Sequence, residues 1–133
     1  MLKLLADTSA LLALTMRDDQ NHPDATRFVE RNPQARFVVT DLILAELVTL
    51  IRARADARTA VRVADSLLRS RRYEIIFVDA ELMAGALKQM IRYSDKRLSL
   101  TDCASFEAMV RLGMASAFCF DHHFRACGFE MVP

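Results

Sequence analysis

Four acidic side chains, Asp7, Glu46, Asp102 and Asp121, stand at or just past the ends of short apolar runs, or on the helical segments that follow them. Parallel strands in a doubly wound α/β domain share one carboxyl rim, and ligands bind there. Residues scattered along the chain can therefore meet. Clustered carboxylates are hard oxygen ligands of the kind that hold Mg2+ or Mn2+. Without a cation the cluster is costly: two unit charges ~4 Å apart repel by roughly 4 kcal/mol at an effective dielectric of ~20. A bound divalent ion removes that conflict and lowers the pKa of a coordinated water. The chemistry implied is in-line attack of water on a phosphodiester.

Taken singly, three of the acids have a structural explanation. Asp7, before Thr8-Ser9, reads as a helix N-cap. Asp102 completes the capping box Ser99-Leu100-Thr101-Asp102. Asp121 stands ahead of a short helix, His122–Ala126. Glu46 differs, because it is the one charge between Leu42 and Ile51. There it needs a buried partner or a cavity. His122 and His123 suggest zinc, but no further His or Cys stands at ligand spacing, and packing or RNA contact suits His123 better. A phosphatase with an aspartyl nucleophile would carry a second aspartate two residues after Asp7, where Ser9 stands.

The elements that must position these residues follow from apolar periodicity. Leu2–Ala6, Phe37–Val39, Ile75–Val78, Ala117–Phe120 and Phe129–Val132 read as strands. Helices are expected from Ala10, from His22-Pro23, over Leu42–Arg54 with Asp41 as cap, over Arg58–Arg71, after Asp79, and from the Ser99 capping box to Leu112, with Gly113 ending it. The Leu42–Arg54 segment is apolar nearly all round and is expected to be buried on more than one side. Alternating strands and helices imply a mostly parallel sheet of four to five strands covered on both faces. With 133 residues and no linker, one domain over 1–133 is expected.

A formal net charge of +1 provides no overall field toward nucleic acid or membrane. The charge is uneven, however. Seven arginines between Arg52 and Arg72 face only Asp56 and Asp65. Arg52, Arg54, Arg58 and Arg62 are the candidate contacts of a phosphate-facing or partner-facing surface. Cys103, Cys119 and Cys127 form no zinc-type pairs and read as free buried thiols of a reducing compartment. No apolar run resembles a signal peptide or spans a bilayer, and a cytoplasmic protein is expected.

Asp7-Thr8-Ser9-Ala10-Leu11-Leu12, Glu46-Leu47, Ser99-Leu100-Thr101-Asp102-Cys103 and Phe120-Asp121-His122-His123-Phe124 followed by Gly128-Phe129 together resemble the PIN domain, and more narrowly the VapC-type ribonuclease toxins of toxin–antitoxin modules. The resemblance spans essentially the whole chain in order. It implies a three-layer α/β/α fold, often a homodimer, and a Mg2+- or Mn2+-dependent endoribonuclease restrained by a small antitoxin. Asp7, Glu46 and Asp102 carry over as metal-binding and catalytic acids, and Asp121 as a fourth. Ser9 supports the first acid, and Thr101 is placed to donate a hydrogen bond into the site. Cys119 departs from the threonine or serine that the family often has two residues before the fourth acid. Two other roles fit the same motifs: a housekeeping PIN nuclease of RNA processing, and a non-catalytic scaffold whose acidic pocket receives a partner's arginine.

Overall fold

A computed structural model describes residues 2–133. Among them, five strands form one wholly parallel sheet in the order β3-β2-β1-β4-β5. The strands are β1 (Lys3–Ala6), β2 (Arg36–Thr40), β3 (Tyr73–Ile76), β4 (Ser116–Phe118) and β5 (Glu130–Val132). The order reverses at β1, so the carboxyl ends of β1 and β4 lie side by side beneath the crevice where such folds bind ligands. Asp7 follows β1 directly, and its backbone N–H donates to the Phe118 carbonyl of β4 at 3.0 Å.

Seven helices cover the sheet: α1 (Thr8–Thr15), α2 (His22–Arg31), α3 (Asp41–Arg54), α4 (Ala57–Arg69), α5 (Ala80–Arg92), α6 (Leu100–Leu112) and α7 (His123–Ala126). Leu4, Leu5, Phe37, Val38 and Phe118 are fully buried at the sheet, joined by Leu11, Ile43, Leu47, Phe106 and Phe124 from the helices. Phe106, Phe124 and Phe129 pack with ring centroids 5.0 to 6.5 Å apart, tying α6, α7 and the approach to β5 together. A smaller cluster of Ala86, Cys103 and Ala104 joins α5 to α6 and receives Leu42 from α3.

Three local expectations are corrected. Thr40, not Asp41, caps α3, its hydroxyl accepting from the Ile43 N–H at 3.1 Å. Asp41 is thereby freed, and its carboxylate accepts from the Val78 N–H at 2.9 Å. That contact draws the chain away from the sheet, so β3 spans Tyr73–Ile76 and Phe77 lies exposed beyond it. The third concerns α3, which is not enclosed: Ile43, Leu47 and Ile51 form its buried stripe, while Ala45, Glu46 and Thr49 face outward. A stripe at i, i+4, i+8 needs only one wall. The three cysteines are free and buried, as expected.

Candidate active site

Each of the three aspartates is held by the local feature that also gives it a structural explanation. The Asp7 carboxylate caps α1, with its Oδ2 accepting from the Ser9 N–H at 3.5 Å and the Ser9 hydroxyl at 3.0 Å. Ser9 Oγ in turn accepts from the Phe120 N–H at 3.0 Å. One hydroxyl therefore fixes the first acid and the backbone next to the fourth. Asp102 is a full capping-box partner: its backbone N–H donates to Ser99 Oγ at 3.0 Å, and its Oδ2 accepts from the Ser99 N–H at 3.2 Å. Asp121 Oδ1 accepts from the His123 N–H at 3.0 Å. Capping and site-building coincide because a cap aims a short carboxylate at the strand-end crevice.

The four acids line one cavity of about 370 Å³, together with Thr8, Ser9, Leu12, Leu50, Arg97, Ser99 and His123. Within it, Asp102, Asp121 and His123 are closest, each offering a ligand atom within 4.8 Å of the others. His123 Nδ1 lies 3.4 Å from Asp102 Oδ2 and 3.2 Å from Asp121 Oδ1. Asp7 and Glu46 share the cavity but stand outside that tight trio. Asp7 is buried, whereas Glu46 is exposed on the outer face of α3. Its placement opposite the aspartates, rather than burial among apolar groups, accounts for a charge in that segment.

The electrostatics are those of a site short of positive charge. The Asp7 carboxyl is pushed up to about 6, first by burial and next by the Asp102 charge, against the lowering effect of the Ser9 hydrogen bond. The Cys119 thiol beneath the site is pushed up to about 12 by burial and then by the Asp7 and Asp121 charges. Cys119 is a neutral, inert filler, its Sγ directed to the Ala117 carbonyl. Two buried polar atoms, Thr8 Oγ1 and His123 Nδ1, lack hydrogen-bond partners among the described residues.

Thr101 does not line the cavity; the first turn of α6 presents Ser99 and Asp102 instead. Arg52, Arg54, Arg58 and Arg62 are exposed at the end of α3 and on α4, and none lines the acidic cavity. Arg97 does, although no pattern in the sequence nominates it. Its only signal was its position two residues ahead of the capping box. His123 was read as packing or RNA contact; its spacing of two from Asp121 was the signal that it shares the site.

Known proteins share this chain's fold. Residues 4–130 match the family model described as "PIN domain". The chain is 31% identical over 129 residues to the 23S rRNA-specific endonuclease VapC20 of Mycobacterium tuberculosis, covering 97% of each chain. The crystal structure of that protein, described as a sarcin-ricin loop cleaving toxin, superposes with a TM-score of 0.88 at 29% identity, over 95% of each chain. VapBC2 from Rickettsia felis, bound to a promoter DNA fragment, shares the fold with a TM-score of 0.73 at 11% identity, over 98% of this chain and 97% of that one.

Proposed function

The chain belongs to the PIN domain family, and from that membership and the shared acidic cavity we propose that it is a metal-dependent endoribonuclease, the toxin of a toxin–antitoxin module. The observation that carries this reading is the convergence of Asp7, Glu46, Asp102 and Asp121 on one cavity. The donor set fits a divalent cation: four carboxylates with no lysine or arginine salt bridge among the described residues, a buried carboxyl raised by burial and by its neighbours, and a His123 Nδ1 that lies 3.2 to 3.4 Å from two carboxylate oxygens without a hydrogen bond to either. Asp102 and Asp121 would hold Mg2+ or Mn2+, with His123 beside them and Asp7 and Glu46 completing the ring of charge. When bound, the ion supplies a Lewis acid for a phosphoryl oxygen and a water of lowered pKa.

The protein's own residues do the positioning. Ser9 and the Ser99 backbone N–H hold one oxygen each of Asp7 and Asp102, leaving the other oxygen free for the ion. Arg97, on the rim, is placed to meet a phosphate oxygen of the substrate. Such prearranged charge is the main lever for phosphodiester cleavage, where charge grows on non-bridging oxygens.

Ribosomal RNA is the substrate class favoured by the 31% identity to a 23S rRNA-specific endonuclease. A small antitoxin, and a second copy of the chain, are the partners we propose. Exposed Phe77, Leu87, Ile91 and Val110 provide apolar surface for such contacts. Among the described residues no helix is long and apolar enough to cross a membrane.

The test is to incubate purified protein with ribosomes, ribosomal RNA and total RNA in Mn2+ or Mg2+ and to sequence the fragment ends, beside Asp7→Asn. Discrete metal-dependent cuts lost in the variant are expected; equal cutting by the variant would overturn the assignment. Growth arrest on induction, relieved by co-expressing the adjacent gene, tests the toxin role.

A further inference from the structure

A second cavity of about 630 Å³ is larger than the acidic one. It lies on the other side of the segment Cys119–His123. From Phe120 onward the residues alternate: Asp121 and His123 line the acidic cavity, while Phe120 and His122 line the larger one, as Cys119 also does. The two spaces thus share a wall one residue thick. The larger one has a different chemistry. Arg27, Arg31 and Arg125 line it, with the amides of Asn21 and Asn32 and the ring of Phe120. Asp24 is its one acidic side chain and is taken by Arg27 at 3.1 Å. Arg31 and Arg125 form no salt bridge among the described residues, so two guanidinium groups remain available.

The geometry points to a nucleotide-binding subsite for single-stranded RNA beside the cleavage centre: Phe120 offers a face for a base, the two asparagines offer donors and acceptors to its edge, and Arg31 and Arg125 take the flanking phosphates. Its size falls in the roughly 300–1,000 Å³ range of ligand cavities. Base stacking on aromatic rings combined with backbone-tracking cations is how single strands are held. Phe120 is well supported for this task. Its backbone N–H is tied to Ser9 Oγ at 3.0 Å, and its ring meets Phe118 edge-on at 6.4 Å. The same Ser9 hydroxyl bonds Asp7, so a base seated on Phe120 is registered against the acids. Net charge near zero hides this site, because the cations are local. The assignment rests on the endoribonuclease reading, and the experiment separates the two.

The decisive measurement is binding of a short fluorescein-labelled single-stranded RNA to the Asp7→Asn protein in EDTA, by anisotropy over a salt series. In that background Phe120→Ala is expected to weaken binding about thirtyfold, the middle of the range of roughly 1–3 kcal/mol for one stacked base. Phe120→Leu keeps apolar packing and should fall nearly as far, which separates lost stacking from misfolding. Arg31→Ala with Arg125→Ala should flatten the salt dependence by about 0.7 in slope for each phosphate contact removed. Arg69→Ala with Arg71→Ala, an equal loss of two charges at and just past the end of α4 and outside both cavities, is the control and should do neither. Unchanged affinity and slope in the Phe120 and arginine variants would overturn the subsite. So would variants that lose only polyglutamate binding, which would mark a site for an acidic peptide. Cleavage by the wild-type protein is scored separately: its absence would remove the nuclease reading, while the binding series would still decide the subsite.

Discussion

Two cavities meet at the Cys119–His123 segment, one acidic and one basic, and they are built in opposite ways. The acidic one uses short side chains fixed at strand ends and helix caps, with Asp7 buried and hydrogen-bonded before any ligand arrives. The basic one uses long arginines reaching from α2 and α7 over an aromatic floor. Short, capped carboxylates can hold an ion to within fractions of an ångström, which bond-breaking requires. Long cations tolerate a flexible polymer and lose little when its path shifts. Chemistry and binding are thus divided between neighbouring walls of one strand end.

The sharpest way to break this division is Asp7→Asn. If the acidic wall is the catalytic one, loss of a charge at its buried centre removes several kcal/mol of transition-state stabilisation, a fall of roughly 10³-fold or more in kcat/KM. RNA affinity should hold within about twofold if binding belongs to the other wall. Glu46→Gln should cost less, roughly 10- to 100-fold, because Glu46 is exposed and outside the tight trio. Single-turnover cleavage of labelled RNA measures both, and an equal loss in the two variants would show that the ring of acids acts as one unit.

Asp7 also makes the metal-free fold sensitive to pH. Its carboxyl is raised from 3.8 to about 6, so the folded chain holds this proton more tightly than the unfolded chain does. Stability from this group is complete below pH ~4 and is lost as pH climbs through ~6, by about 3 kcal/mol in all. Urea unfolding in EDTA should show that decline, and Asp7→Asn should remove it. Mn2+ should restore wild-type stability at pH 7 by mass action and do so less in His123→Ala. A flat wild-type profile would mean that the acids are not in conflict.

The acidic wall was far more legible in the sequence than the basic one, for a physical reason. Strand-end aspartates and capping boxes are local patterns: Asp7-Thr8-Ser9 and Ser99-Leu100-Thr101-Asp102 announce both an element and a carboxylate direction. The parallel sheet followed from alternation of short apolar runs with amphipathic segments. Arg31 and Arg125 lie far apart in sequence and meet only because α2 and α7 flank the same strand end. Arg97 lines the acidic cavity from the loop ahead of α6, through a geometry that no period encodes. The exchange of Asp41 for Thr40 as cap shows the same limit, since it depends on a hydrogen bond to Val78, distant in sequence.

Ser99→Ala tests whether capping and catalysis can be uncoupled on the acidic wall. The hydroxyl is the N-cap acceptor of α6, and its loss should cost about 1 kcal/mol of stability, read as a lower urea midpoint. The Ser99 backbone N–H that holds Asp102 Oδ2 survives the substitution. Cleavage should therefore fall by no more than about threefold, under 1 kcal/mol. A larger loss would make the hydroxyl part of the chemistry.

The smallest effect is expected from the arginines of α3 and α4. Arg52, Arg54, Arg58 and Arg62 open the arginine-rich stretch that ends at Arg72, and charge alone nominates them for RNA. Yet none lines either cavity. Glu46, Leu50 and Arg54 follow one another at i, i+4 and i+8, so Arg54 continues the stripe that borders the acids, and the other three point elsewhere. Arg58→Ala and Arg62→Ala should each lower RNA affinity by about twofold at low salt and leave it unchanged at high salt, as exposed charges beyond a Debye length do. A tenfold loss that persists in salt would move the RNA path onto α4 and dissolve the pairing of the two cavities, because a strand lying there could not also be anchored at Phe120 on the opposite side of the acids.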